Sequence, residues 1–326
     1  MDTGNLKKRK IPVVDIRDCH DPSVIRRIDK AFHSIGFLIV EGHGIPRQLF
    51  KQMRAKTIAY FSQATRSKLG DSITRDNYRG YIPLGFFSAN SGEGEPDRYE
   101  GYKLHFEVAA DDPVCKECPL YGPNLWPANP PGFRRTVLDY WQACDGVCAT
   151  LLGVLARIME IDPANFLEKF EKPLTNMTLL HYPPVAEGTD AFGIHPHKDT
   201  DALTLLHPDP VGGLMLRRRD DKDWLEVKAP ANSLVVNIGD LLEIWSGGYF
   251  ISTPHKVVNL SGEHRYSYPY FAVPRHDVLV SPLVPEQAGF DRPPVPVGDV
   301  SREVWRTNWP DAVPKPTGYE LGTLDD

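Results

Sequence analysis

At 326 residues the chain has room for one large domain or two ordinary ones, and its formal net charge of −6 excludes a general nucleic-acid binder, which would carry a basic surface. Apolar residues at 41% and charged residues at 25% are the proportions of a soluble globular protein. No apolar run approaches the ~20 residues of a membrane span, and the first residues lack the apolar core of a secretion signal, so the expected compartment is the cytoplasm.

The basic run Lys7–Lys10 reads as a solvated leader. After it, IPVVDI (11–16) is a short apolar strand. Val24, Ile25, Ile28, Ala31, Phe32 and Ile35 follow helical spacing, and FLIV (37–40) reads as a buried strand. A second helix is expected over 47–62. Residues 70–122 carry weak periodicity and many turn formers, which predicts loops with short strands. Pro130 and Pro131 then open a long helix over 132–159. Within it Val137, Trp141, Cys144, Cys148, Leu151, Leu155 and Ile158 form one helical stripe. Cys115, Cys118, Cys144 and Cys148 could be drawn as a four-thiolate zinc site, but packing is reason enough for the last two. From 176 onward, short Val/Leu/Ile/Tyr-rich runs separated by Gly, Pro and Asp turns signal a barrel or sandwich. Prolines cluster again beyond 281, predicting an extended tail across the barrel. The whole reads as one domain: an N-terminal helical and loop flank (1–120), support helices (121–175), a β core (176–280) and a Pro-rich extension (281–326).

The chemistry concentrates in that β core. His197 and Asp199 are two apart, so on a strand their side chains leave the same face. His255, from a distant strand, would complete a two-His-one-carboxylate set, which leaves metal positions open and suits non-haem Fe(II). His195 competes with His197 but lacks the two-residue relation to Asp199. Asp201 has no partner at that spacing, and His207 and His264 read as surface groups. Arg265 and Ser267 repeat the two-residue spacing on a later strand. A guanidinium fork with a hydroxyl beside it matches a carboxylate.

These motifs, in this order, resemble the isopenicillin N synthase-like family of Fe(II)/2-oxoglutarate-dependent dioxygenases. The likeness is carried by the HxD of His197–Asp199, by His255 and by the RxS of Arg265–Ser267. Supporting stretches are LHYPP (180–184), LTLLHPDPVGGL (203–214), VVNIGDLLEIWSGGYFISTPHKV (235–257) and GPNLWP (122–127). The resemblance covers about 11–274. It implies a mainly β fold with flanking helices, whose core is a double-stranded β-helix, or jelly roll. It implies Fe(II), 2-oxoglutarate and O2, with ascorbate as a compatible reductant. The reaction implied is oxidation of an unactivated C–H of a small metabolite, with CO2 and succinate as co-products. Hydroxylation is the default; desaturation, cyclisation and epoxidation stay open. The setting suggested is secondary metabolite biosynthesis.

By the same resemblance Tyr182 would join Arg265 and Ser267 at the 2-oxoglutarate carboxylate. Phe271, six after Arg265, would face the iron, and Arg79, Tyr81 and Tyr102 would cover the pocket mouth as substrate-pocket residues. Many relatives carry Asn where this chain has Leu180, and some carry Arg where it has Thr178. Both departures weaken any transfer of one member's substrate. Two other readings remain at this point: an iron-dependent oxidase or cyclase that does without 2-oxoglutarate, and a non-enzymatic metal-binding sensor. The sequence leaves oligomeric state open.

Overall fold

The computed structural model describes residues 10–87, 96–185, 192–219, 221–259 and 261–307, with 309, 321 and 324; Lys7, Lys8 and Arg9 of the basic run lie outside them. The N-terminal part forms β1 (Val13–Asp15), α1 (Pro22–Ser34), β2 (Phe37–Glu41), α2 (Arg47–Phe61) and α3 (Thr65–Leu69). Asp21 caps α1 by accepting the Ser23 N–H, and Pro22 sits in the first turn, where its missing donor costs nothing. Two strands follow, β3 (Gly80–Ile82) and β4 (Glu100–His105), then α4 (Val114–Glu117), α5 (Phe133–Ile158) and α6 (Pro163–Glu168). The predicted stripe of α5 is buried from Val137 to Leu155, with Cys144 and Cys148 packed as small apolar side chains.

The remaining strands are β5 (Asn176–Tyr182), β6 (Phe192–His197), β7 (Leu203–Leu206), β8 (Leu214–Leu216), β9 (Leu225–Glu226) and β10 (Leu234–Ile238). After α7 (Asp240–Trp245) come β11 (His255–Val258), β12 (Arg265–Ser267), β13 (Tyr270–Ala272), β14 (Leu279–Val280), β15 (Val295–Pro296) and α8 (Val297–Thr307). A nine-stranded sheet runs β1-β2-β10-β7-β13-β5-β4-β3, with β12 also paired to β5, and a four-stranded sheet runs β6-β11-β8-β9. These crossovers make the jelly roll.

Strand alternation sorts the large sheet into two faces. Phe37, Ile39, Val235, Leu180 and Tyr182 share one apolar cluster with Leu214, Leu216 and Val257 of the small sheet, so they fill the barrel. The alternate residues Leu38, Val40, Leu234, Val236, Met177 and Leu179 belong to the cluster that includes the buried faces of α2 and α5. The barrel therefore receives one parity of these large-sheet strands, and the helices the other.

One expectation is sharpened and one changes. The short strands within 70–122 are β3 and β4, and β4 pairs with β5 over six residues and widens the main sheet. The C-terminal extension is not extended throughout: 297–307 is a helix, because Val297, Val300 and Val304 recur at helical spacing once the prolines end.

Candidate metal centre and carboxylate clamp

β6 and β11 pair antiparallel with His197 directly opposite His255, which places both rings on one face, centroids 4.4 Å apart. Asp199 follows the end of β6. Its Oδ1 lies 3.7 Å from His197 Nε2 and 3.6 Å from His255 Nε2. One ligand atom from each residue fits within 4.8 Å of the other two. That spacing can seat a single ion between three donors.

Neighbouring groups fix which atoms are free to ligate. His197 Nδ1 bonds the His195 carbonyl at 2.7 Å, and His255 Nδ1 bonds the Thr253 carbonyl at 3.1 Å. A carbonyl only accepts, so each Nδ1 carries the proton and each Nε2 presents its lone pair. Asp199 Oδ2 accepts from Thr204 Oγ1 at 2.6 Å and from Asn237 Nδ2 at 2.8 Å, which leaves Oδ1 for a metal. Burial works against the Asp199 charge, yet His255, His197, Thr204 and Asn237 hold its carboxyl below the ordinary range. Burial, then His255, depresses His197, keeping it in the neutral form that binds metals. The Thr204 hydroxyl also lies 2.8 Å from Asp201 Oδ2. A hydroxyl has one proton, so Asp201, pushed well up by burial and by Asp199, supplies its own.

The carboxylate clamp lies inside the same barrel. β12 pairs with β5 so that Arg265 faces Tyr182. The Arg265 guanidinium stands 4.6 Å from the Tyr182 ring centroid. Its Nε donates to the Gly212 carbonyl at 2.6 Å, while Nη1 is buried with no hydrogen-bond partner among the described residues. A buried cationic donor without an acceptor is costly unless an anion completes it, which fits a carboxylate of a bound keto acid. Two glycines allow this packing. Gly213 is left-handed, and a Cβ there would sit 2.0 Å from the Val258 carbonyl; at Gly193 a Cβ would meet the Tyr182 ring at 2.7 Å. Ser267, on the same strand as Arg265, is buried beside it. Burial raises the Tyr182 phenol to about 12, so it remains a donor at neutral pH.

The other predicted residues divide. Phe271 lies opposite Thr204 and Asn176 in register, on the barrel side. Tyr102 does not: its hydroxyl donates to the Leu125 carbonyl at 2.6 Å and its ring packs on Tyr60 and Phe133, in the helical layer. Tyr81, paired with Tyr102, shares that face and donates to Glu100 at 2.5 Å. Arg79 is 2% exposed, donates to the Leu120 carbonyl at 2.6 Å and lies 5.8 Å from the Trp305 ring. In all three the polar groups are engaged within the fold. His195 is held by Asp97 at 2.6 Å, apart from the triad. His207 lies partly exposed in the loop after β7, where it stacks on Phe50 at 4.0 Å and bonds the Ala231 carbonyl. His264 is exposed, with Nδ1 2.8 Å from His181 Nε2.

Thr204 and Asn237, which orient Asp199, are not singled out by motif. Each is nonetheless the one polar residue of an otherwise apolar strand, LTLL and LVVNI, and that is a readable signal.

Residues 174–274 match the family model of the 2OG-Fe(II) oxygenase superfamily. Homoarginine-6-hydroxylase 2-ODD-C23 of Glycine max is 31% identical over 294 residues, 84% of this chain and 88% of that protein. The chain belongs to the 2OG-Fe(II) oxygenase superfamily. Residues 11–129 of this oxygenase match a second model, the N-terminal region of the non-haem dioxygenase in morphine synthesis. The solved structure of JOX2 in complex with 2OG, Fe and JA is 26% identical with a TM-score of 0.77, covering 93% of this chain and 87% of that one. A full-length Neurospora crassa protein, solved in complex with alpha-KG and thymine, has the same fold at 23% identity, with a TM-score of 0.78 over 90% of this chain and 96% of that one. The oxygenase is accordingly an Fe(II)- and 2-oxoglutarate-dependent enzyme on a jelly-roll frame.

Proposed function

We propose that this oxygenase hydroxylates an unactivated C–H of a small metabolite, with His197, Asp199 and His255 as the iron ligands. Arg265, Ser267 and Tyr182 would hold the far carboxylate of 2-oxoglutarate, and Phe271 would face the substrate. When bound, iron with the keto acid supplies the oxidising chemistry and releases CO2 and succinate. The chain's own residues bind, orient and exclude. Thr204 and Asn237 hold the Asp199 carboxylate, the His195 and Thr253 carbonyls hold the imidazoles, and the apolar barrel lining keeps bulk water from the centre. The observation carrying the clamp is the buried, unpartnered Nη1 of Arg265. We place the enzyme in the cytoplasm, in secondary metabolism, acting on no nucleic acid, as a single dioxygenase domain with its jelly-roll core over 176–280.

The test is anaerobic titration of the Fe(II)-loaded protein with 2-oxoglutarate, followed by oxygen and a metabolite panel read as substrate-dependent succinate. Iron and keto acid binding that survives in Arg265→Ala and His255→Ala alike would overturn these assignments.

A further inference from the structure

A cavity of about 90 Å³ lies between α8 and the barrel. Val297, Val300, Val304 and Trp305 of α8 form its roof, with Leu241 and Val273 as further apolar wall. Its floor carries Lys103, Asn176 and Thr200, the residue after Asp199. The Lys103 Nζ donates to Asn176 Oδ1 at 2.6 Å and to Thr178 Oγ1 at 3.0 Å, and it stands 5.5 Å from the Phe271 ring centroid. Those partners are neutral, and no carboxylate among the described residues is paired with it. An ammonium has three donors, so one remains for the cavity. A second cation, Arg79, stands behind the Trp305 wall and likewise bonds only neutral oxygens among the described residues.

We propose that Lys103 is a specificity-determining residue that pairs with a carboxylate of the substrate, whose apolar body lies under α8 against Trp305. This deepens the reading given under the proposed function and rests on it. A half-buried cation held by neutral oxygens is stabilised when an anion joins it, whereas an amide or ester in the same place completes no charge. Burial alone pushes the Lys103 ammonium down to about 7, against the pull of Asp199, so the site gains charge balance from an incoming acid. The ligand class is an apolar monocarboxylic acid, with a ring or short chain entering the cavity and its carboxylate at the Lys103, Asn176 and Thr178 cluster.

The experiment uses the full chain under nitrogen with Fe(II) and 2-oxoglutarate, so that binding proceeds without turnover. The probes are a series of six- to twelve-carbon straight-chain and phenyl-substituted monocarboxylates, each beside its primary amide, read by quenching of tryptophan fluorescence. At least one acid is expected to bind about tenfold tighter than its amide, the size of one charge-assisted hydrogen bond. Lys103→Met and Lys103→Gln are expected to abolish that preference, and Lys103→Arg to keep part of it, with 2-oxoglutarate affinity unchanged in all three. Acid preference that persists in the folded Lys103→Gln protein, or its absence from the whole wild-type series, overturns the proposal. A weaker 2-oxoglutarate affinity in the Lys103 variants also overturns it, by moving Lys103 to the co-substrate. Wild-type protein that binds no 2-oxoglutarate at all overturns the underlying reading instead, which keeps the two failures distinct.

Discussion

Thr204 and Asn237 touch neither metal nor substrate, yet they decide which Asp199 oxygen is available. Removing the hydroxyl in Thr204→Val should lower metal affinity about 10- to 100-fold, the usual effect of losing a group that orients a ligand. His197→Ala, Asp199→Ala and His255→Ala should lose bound iron and turnover with circular dichroism unchanged; metal content after gel filtration checks both sets. Arg265→Ala should raise the 2-oxoglutarate requirement by the equivalent of about 2–5 kcal/mol, and Arg265→Lys should recover part, because an ammonium cannot reproduce the fork. Keto acid titrations under otherwise fixed conditions measure this. Phe271→Ala should loosen positioning of the reacting C–H, where small displacements cost about 100-fold in rate. Succinate formed in excess of oxidised product is the expected sign, and an unchanged ratio would return Phe271 to a packing role.

At the scale of elements, the sequence shows the alternation of β4 plainly: Tyr102 and Leu104 on one parity, Lys103 and His105 on the other. Its meaning is inverted relative to a simple core rule. The apolar parity packs on the helices, and the polar parity faces the inside of the barrel, since that inside is a site as well as a core. Tyr102 thus lies on the helix-facing parity and Lys103, its neighbour, on the other, which the β4–β5 register reveals. The RxS spacing was legible because Arg265 and Ser267 share one strand face, and the HxD spacing was legible although Asp199 lies just past the end of β6. The fold class was legible from short strands and turns, while α8 was hidden behind a proline cluster. Ending the chain at residue 296 would remove the cavity roof. Val297 and Val300 each contribute about 1.5–3 kcal/mol by burial, so the truncated protein should melt lower and lose selectivity among substrates. Keto acid affinity should stay near wild type, because the Arg265 clamp is built from β5, β8's preceding turn and β12.

For the molecule as a whole, Trp245 of α7 ties separate layers together. It is fully buried between Phe166 and Phe170, at centroid distances of 5.0 and 5.9 Å. Trp245→Ala should cost about 3–5 kcal/mol, seen as a lower urea midpoint. The position of β6 has a different consequence. Among the described residues it is an edge strand, paired within its sheet with β11 alone, and it carries His197 at its last residue with Asp199 two beyond. An ion shared with His255 would rivet that loose margin to its neighbour. Opening of the β6–β11 ladder would then require release of the ion, and the stabilisation would grow with the logarithm of free metal concentration. Amide hydrogens across this ladder should therefore exchange more slowly as iron is added, while those of β3, a border strand of the large sheet, keep their rates. The centre would be a fastener for the frame that holds it.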